Sequence, residues 1–225
     1  MMARLITGFF LVCFSQGCLQ AQSDSILLDN TLKFKDGIYL SFASFRSNQP
    51  DYAWEELGGR LVFNPDAYSA QVEFLSLEEG RPVAMDSIWG LCFEGLPYVL
   101  VKSKSTESNA WFFAGLRVRG RISYFEYEME EEQVVEITAY NPLTGRAFRK
   151  GQVSKTLTVV NKYMLRMLDG EIAVFNKANL MEWVKDDEQM YETVNALTKE
   201  EASTRLYKCL LIYDDRNPIF IQQKP

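Results

Sequence analysis

The sequence predicts an α+β domain: a meandering antiparallel β-sheet or partial barrel of about seven to nine strands, followed by a C-terminal helical pair. Three observations carry that prediction. Up to about Asn176 the chain runs as short apolar segments punctuated by single glycines and turn dipeptides. The gaps between those segments are too short for helical crossovers, so the pairing is antiparallel. Beyond residue 176 apolar residues recur at three- and four-residue spacings. With no repeat, Pro-rich linker or low-complexity tract, residues 32–225 form one domain, β-rich over 32–176 and helical over 177–217, preceded by a flexible spacer over 22–31.

The first unit, KDGIYLSFASFRSNQPDY, places a strand at Ile38 to Leu40 and a short helical turn capped by Ser41. That turn must end before Pro50, because the residue preceding a proline is pushed out of the helical region. Phe42 and Phe45, three apart, share its core face. In SIWGLCFEGLPYVLV, the runs Ile88 to Phe93 and Leu96 to Val101 flank Glu94-Gly95, a two-residue hairpin loop whose glycine supplies positive φ. Both faces of the two runs are apolar, so they lie centrally with both sides covered, anchored by Trp89.

In WFFAGLRVRGRISYFEYEMEEEQVVEITAY, Arg117, Arg119 and Arg121 alternate with Leu116, Val118 and Ile122. Phe125, Tyr127 and Met129 then become the apolar set. Apolar parity flips from even to odd, and one continuous strand cannot keep a single buried face across that change, so a bulge or bend is predicted near Tyr124 and Phe125. Pro142 and Gly145 in NPLTGRAF turn the chain into a segment beginning at Arg146. Thr156 to Leu168 and Glu171 to Phe175 pair across Asp169-Gly170.

In the tail, Leu180, Trp183, Tyr191, Val194 and Leu197 mark a first helix with Asn179 as its cap. Thr198 and Glu201 form a capping box opening a second, whose stripe is Ala202, Leu206, Cys209, Leu210 and Tyr213. Asn217-Pro218 stops it, and IFIQQ is free to rejoin a sheet.

At the other end, Arg4, the apolar run Leu5 to Phe14 and the small residues after it fit a secretory signal peptide over residues 1–21. The run of about ten residues is too short to span a bilayer. Leu19-Gln20-Ala21 favours cleavage before Gln22. Ser15-Gln16-Gly17-Cys18 is a loose lipobox, which keeps lipidation at Cys18 as the alternative and ties membrane association to that event. The mature chain carries 23 Lys and Arg against 30 Asp and Glu, a net −7. Without a basic run it does not suit nucleic acid or an anionic membrane surface. Its two cysteines, Cys92 and Cys209, sit among apolar neighbours and are either buried free thiols or one long-range disulfide that an oxidising compartment permits.

The chain contains no histidine, which removes the Ser-His-Asp triad, the Cys-His pair and His-based metal sites. Glycine-rich phosphate loops and the calcium-loop spacing are missing too, so no cofactor and no metal are expected. The acids come mostly as runs, Glu130 to Glu132, Asp186 to Glu188 and Asp214-Asp215, of the kind that form solvated faces or helix ends. The candidate ligand-binding residues are Arg117, Arg119 and Arg121, able to grip a carboxylate or sugar acid, with Tyr124 and Tyr127 as stacking surfaces. Cross-strand pairing of the arginines with the Glu126 to Glu136 region is the simpler alternative. Trp54 and Trp111 are further aromatics, and most aromatics are assigned to the core.

DGIYLSFASFRSNQP, Trp89-Gly90, RISYF from Arg121 to Phe125 and YDDRNP from Tyr213 to Pro218 together resemble uncharacterised secreted or periplasmic proteins of Bacteroidota, whose leaders also end in Ala-Gln. The resemblance implies export and carries no established activity. The sequence therefore points to an exported, non-enzymatic binding or interaction module of the cell envelope, with an envelope protein or glycan as partner. A His-free, carboxylate-dependent hydrolase such as a glycosidase is the alternative. Intact-mass measurement of the exported protein is expected to show an N-terminal Gln22; a diacylated Cys18 would overturn that expectation.

Overall fold

A computed structural model describes residues 24–78, 80–101, 110–140 and 142–223. The leader and Cys18 lie outside the described residues. Among the described residues the fold is α+β, with eleven strands and a helical C-terminal region. Six strands, β2 (Gly37–Tyr39), β3 (Leu57–Asn64), β4 (Ser69–Leu77), β5 (Gly90–Phe93), β6 (Leu96–Val101) and β7 (Trp111–Gly115), form an antiparallel sheet in the order β2-β5-β6-β7-β4-β3 that curls into a half-barrel.

The predicted hairpin, β5–β6, takes the second and third places of the six, between β2 and β7. Glu94 and Gly95 both take positive φ, +54° and +80°, which gives the tight turn the twist of its flanking strands. Asp36 fixes the turn by accepting the Glu94 and Gly95 N–H groups at 3.1 and 2.9 Å. Alternation sends Ile38, Leu91, Tyr98 and Phe113 to the concave face, and Tyr39, Cys92, Val99 and Ala114 to the convex one. The concave core closes when Phe63 of edge strand β3 stacks on Phe93 of β5, rings 4.1 Å apart and 6° from parallel. Trp54 donates its indole N–H to the Cys92 carbonyl at 2.8 Å across the same gap.

The convex face is covered by α1 (Phe42–Arg46), whose Ser41 cap and Phe42/Phe45 face match the expectation. It is also covered by the base of a long ribbon made of β8 (Ile122–Tyr140) and β9 (Ala147–Arg166). β10 (Ile172–Val174) extends that ribbon at its base, across a turn with Gly170 at φ +84°.

Several expectations are corrected. The strands predicted on either side of Thr156 are one 20-residue strand, β9. The parity change falls earlier than Tyr124: residues 116–121 leave the strand altogether, and Val118 bridges back to Tyr124. The Ile122–Phe125 stretch is buried on both faces, so neither parity is the solvent face. The helical pair is three helices: α2 (Lys177–Trp183), α3 (Glu188–Ala196) and α4 (Lys199–Arg216). Asn176, not Asn179, caps α2, because its side chain accepts the Asn179 N–H. Asp187 caps α3 and divides what periodicity alone joins. The spacer is structured from Asp24 on: β1 (Asp24–Leu27) pairs antiparallel with β11 (Phe220–Gln223), the rejoining IFIQQ segment. Cys92 and Cys209 are buried free thiols. No helix of the described residues is long and apolar enough to cross a membrane.

Gly37 shows how tightly the sheet edge is built. Its φ is +142°, and a Cβ there would overlap the Tyr52 carbonyl oxygen and lie 2.8 Å from Pro50 Cβ. Gly37→Ala is expected to cost about 2 kcal/mol or more in chemical denaturation, combining a disfavoured backbone region with a clash against main chain; a loss within about 0.5 kcal/mol, the range of ordinary surface changes, would contradict this close approach.

Candidate ligand-binding cleft

The ribbon base is a wall with two sides. Ile122, Tyr124 and Met164 face the helices, while Phe125, Leu165 and Met167 face the half-barrel. Where α4 and the start of α2 lean on the helix side, a cleft of about 840 Å³ remains.

Its floor is aromatic. The Tyr124 ring meets Phe175 and Tyr207 edge-on, at centroid distances of 5.0 and 5.1 Å. Its charge is unlike that of the whole chain: Arg117, Lys162, Lys177 and Lys199 line it against one carboxylate, Glu126, in a protein of net −6. Glu126 is engaged, accepting the Tyr124 hydroxyl at 2.5 Å and lying 3.5 Å from Arg117 Nη2. Burial, reinforced by the hydrogen bond to Glu126, pushes the Tyr124 hydroxyl well above its ordinary range, so it stays protonated as a donor.

Arg117 is held with its guanidinium 4.8 Å over the Tyr68 ring, and its Nε is buried without a hydrogen-bond partner. Lys177 Nζ donates to the Asn195 and Leu197 carbonyls at 2.8 and 2.6 Å, tying α2 to the C-terminus of α3. Lys162 and Lys199 stand exposed at the rim.

Of the five residues singled out from sequence, Arg117 and Tyr124 meet in this cleft, and the other three do not. Arg119 turns inward, donating to the carbonyls of Asn30 and Leu32, the latter at 2.8 Å, and approaching that of Gly95. Arg121 pairs with Asp186 at 2.5 Å beside Tyr213, whose hydroxyl donates to the same carboxylate at 2.8 Å. Tyr127 lies on the opposite ribbon face, stacked on Tyr163 at 5.8 Å. Trp54 and Trp111 pack in the half-barrel core. Lys162, Phe175, Lys199 and Tyr207 were not legible as site residues. The signal available was the register that sets Glu126 opposite Lys162, and the helical spacing that puts residues 199, 203 and 206 on one face of α4.

No protein-family model, curated protein or solved structure matches this chain. Among the described residues, no group of three or more His, Cys, Asp or Glu side chains is placed to hold a metal ion.

Beside Arg121 lies a second group of note. Asp214 of α4 accepts the Ile122 N–H at 2.9 Å, and its Oδ2 is buried with no partner. A Cβ at Gly120 would sit 2.5 Å from this carboxyl, so glycine is what lets α4 dock here. Burial raises Asp214 to about 7, against the opposing pull of the Ile122 and Arg121 backbone and the Arg121 charge. The folded chain therefore binds this proton more tightly than the unfolded chain. Its stabilising contribution is full at acidic pH below the ordinary value of 3.8 and is lost as pH rises towards about 7. Asp214→Asn keeps an oxygen for Ile122 and removes the charge. Its melting temperature relative to the parent is expected to climb between pH 4 and pH 7 and then level off, by about 2–4 °C for each kcal/mol of burial penalty relieved. A pH-independent difference in differential scanning calorimetry would show that Asp214 does not titrate in this range.

Proposed function

We propose that the protein is an exported, non-enzymatic binding module of the cell envelope, and that its cleft takes a small anionic, ring-bearing ligand of the carboxylated-saccharide class. The observation that carries this reading is the concentration of four cationic side chains around an aromatic floor in an otherwise acidic chain. Local positive potential attracts the anion. The Arg117 fork can donate to a planar carboxylate, and the exposed Tyr207 ring offers a face to a pyranose. Export is supported by the leader-like residues 1–21, and a Bacteroidota-type envelope protein by the resemblance of DGIYLSF and YDDRNP.

Binding is favoured over turnover by the carboxylate inventory of the cleft. Glycoside hydrolysis uses two carboxyl groups about 5 to 10 Å apart. The described lining supplies one, Glu126, already engaged by Tyr124 and Arg117.

Isothermal titration with oligogalacturonate, against neutral cello-oligosaccharides of equal length, tests this. The acidic oligomer is expected to bind and the neutral one not. Affinity should weaken as salt rises, and Arg117→Ala should lose about tenfold, or ~1.4 kcal/mol, with Lys199→Ala losing less. Equal binding of neutral and acidic oligomers, or no binding of either, would overturn the proposal.

A further inference from the structure

Past the body, β8 and β9 continue as a bare two-stranded ribbon. From Glu128 to Ala139 they remain paired in register opposite Val160 to Arg149, with an irregularity only at Ala139/Tyr140. Those twelve residues extend it by about 40 Å at ~3.3 Å per residue. A two-stranded hairpin is at best marginally stable in water without a covered face, so a ribbon of this length calls for a cover.

The register sorts the side chains into two unlike faces. One carries Val135 opposite Val153, Ile137 opposite Gly151, and Leu157 and Val159 nearer the body. Val135, Val153 and Ile137 are 42%, 46% and 50% exposed. This face runs on from Tyr127 and Tyr163, which already pack on the convex core of the half-barrel. The other face carries Glu128, Glu130, Glu132 and Glu136, all exposed, along one strand.

We propose that the apolar face of the ribbon is the interface of a homodimer, two copies stacking ribbon on ribbon with their glutamate faces outward. Charge selects this occupant. Stacking through the other face would set four glutamates against four, whereas the apolar face bears Glu131 on β8 and Lys155 on β9, diagonal neighbours that a two-fold axis can set against Lys155 and Glu131 of the second copy. A lipid surface is a poorer cover, since Glu131 and Lys155 stand within the apolar strip and would have to be buried in it without charge partners. Area sets the strength of the dimer. A strip about 40 Å long and ~10 Å wide on each copy gives roughly 800 Å² of flat area in total, the size of a weak, reversible interface.

Sedimentation equilibrium of the purified full chain decides the matter. At tens of micromolar the parent should have twice the mass of one chain, and V135E/I137E/V153E should have the mass of one. V134E/V160E, on the glutamate face, should remain a dimer. Amide exchange over residues 130–139 of the unaltered protein gives a reading that does not depend on any variant folding: it should slow as concentration rises. A parent that stays monomeric, a triple variant as dimeric as the parent, or exchange protection independent of concentration, the signature of a cover from within the chain such as residues 1–23, would overturn the proposal.

Discussion

Everything in this molecule leans on one short wall, the paired base of β8 and β9. Ile122, Tyr124 and Met164 point to the helices, while Phe125, Leu165 and Met167 point to the half-barrel, and all six are buried. Each fully buried apolar side chain contributes roughly 1.5–3 kcal/mol, but the larger effect is coupling. Among the described residues, helices α2–α4 share no packing with strands β2–β7 comparable to what each shares with this wall, so a disturbance of the wall is felt in both cores. It also explains why the sequence around it carries no clean alternation, since a strand buried on both sides has no polar parity to show.

The arginines leading into that wall show the limit of local pattern. Arg117, Arg119 and Arg121 are spaced as if on one strand face, yet residues 116–121 are a connection in which each guanidinium goes its own way: onto Tyr68 and Glu126, onto the carbonyls of Asn30 and Leu32, and onto Asp186. Arg119 serves as an internal tie between the N-terminal segment, the β5–β6 turn and this crossing. Of the three, Arg117 is the one that lines the cleft of about 840 Å³. Of the residues that pattern singles out, Arg117 and Tyr124 line the cleft, while their companions Lys162, Lys199 and Tyr207 come from elements whose approach is set by long-range packing.

Legibility of the fold followed the same division. Features fixed by neighbours in sequence could be read: the Glu94-Gly95 turn by its positive-φ glycine, the Ser41 and Thr198 caps by hydroxyls positioned to accept the first orphan N–H groups, and the Asp169-Gly170 turn. Features that depend on distant partners could not. β3, with Gly58-Gly59 and a mostly exposed pattern, resembles loop until Phe63 is seen against Phe93. The distal half of β9 is mostly exposed on both faces, so its apolar residues are too few to mark a strand on their own. Asp187 sits in an acidic run that resembles a solvated face, and only its acceptance of the Met190 N–H reveals a cap that splits one helix from the next.

The pairing of β1 with β11 has a consequence for the order of assembly. Leu27 and Phe220 are partners across nearly the whole described chain. Closing a loop of about 190 residues costs ~5 kcal/mol of chain entropy if done first, and far less once the intervening layers have already brought the ends together. The two-stranded clasp is thus a late event that reports completion of everything inside it. A chain halted before its final strand would hold Asp24–Leu27 as an unpaired edge, recognisable to any surveillance system that detects exposed strands.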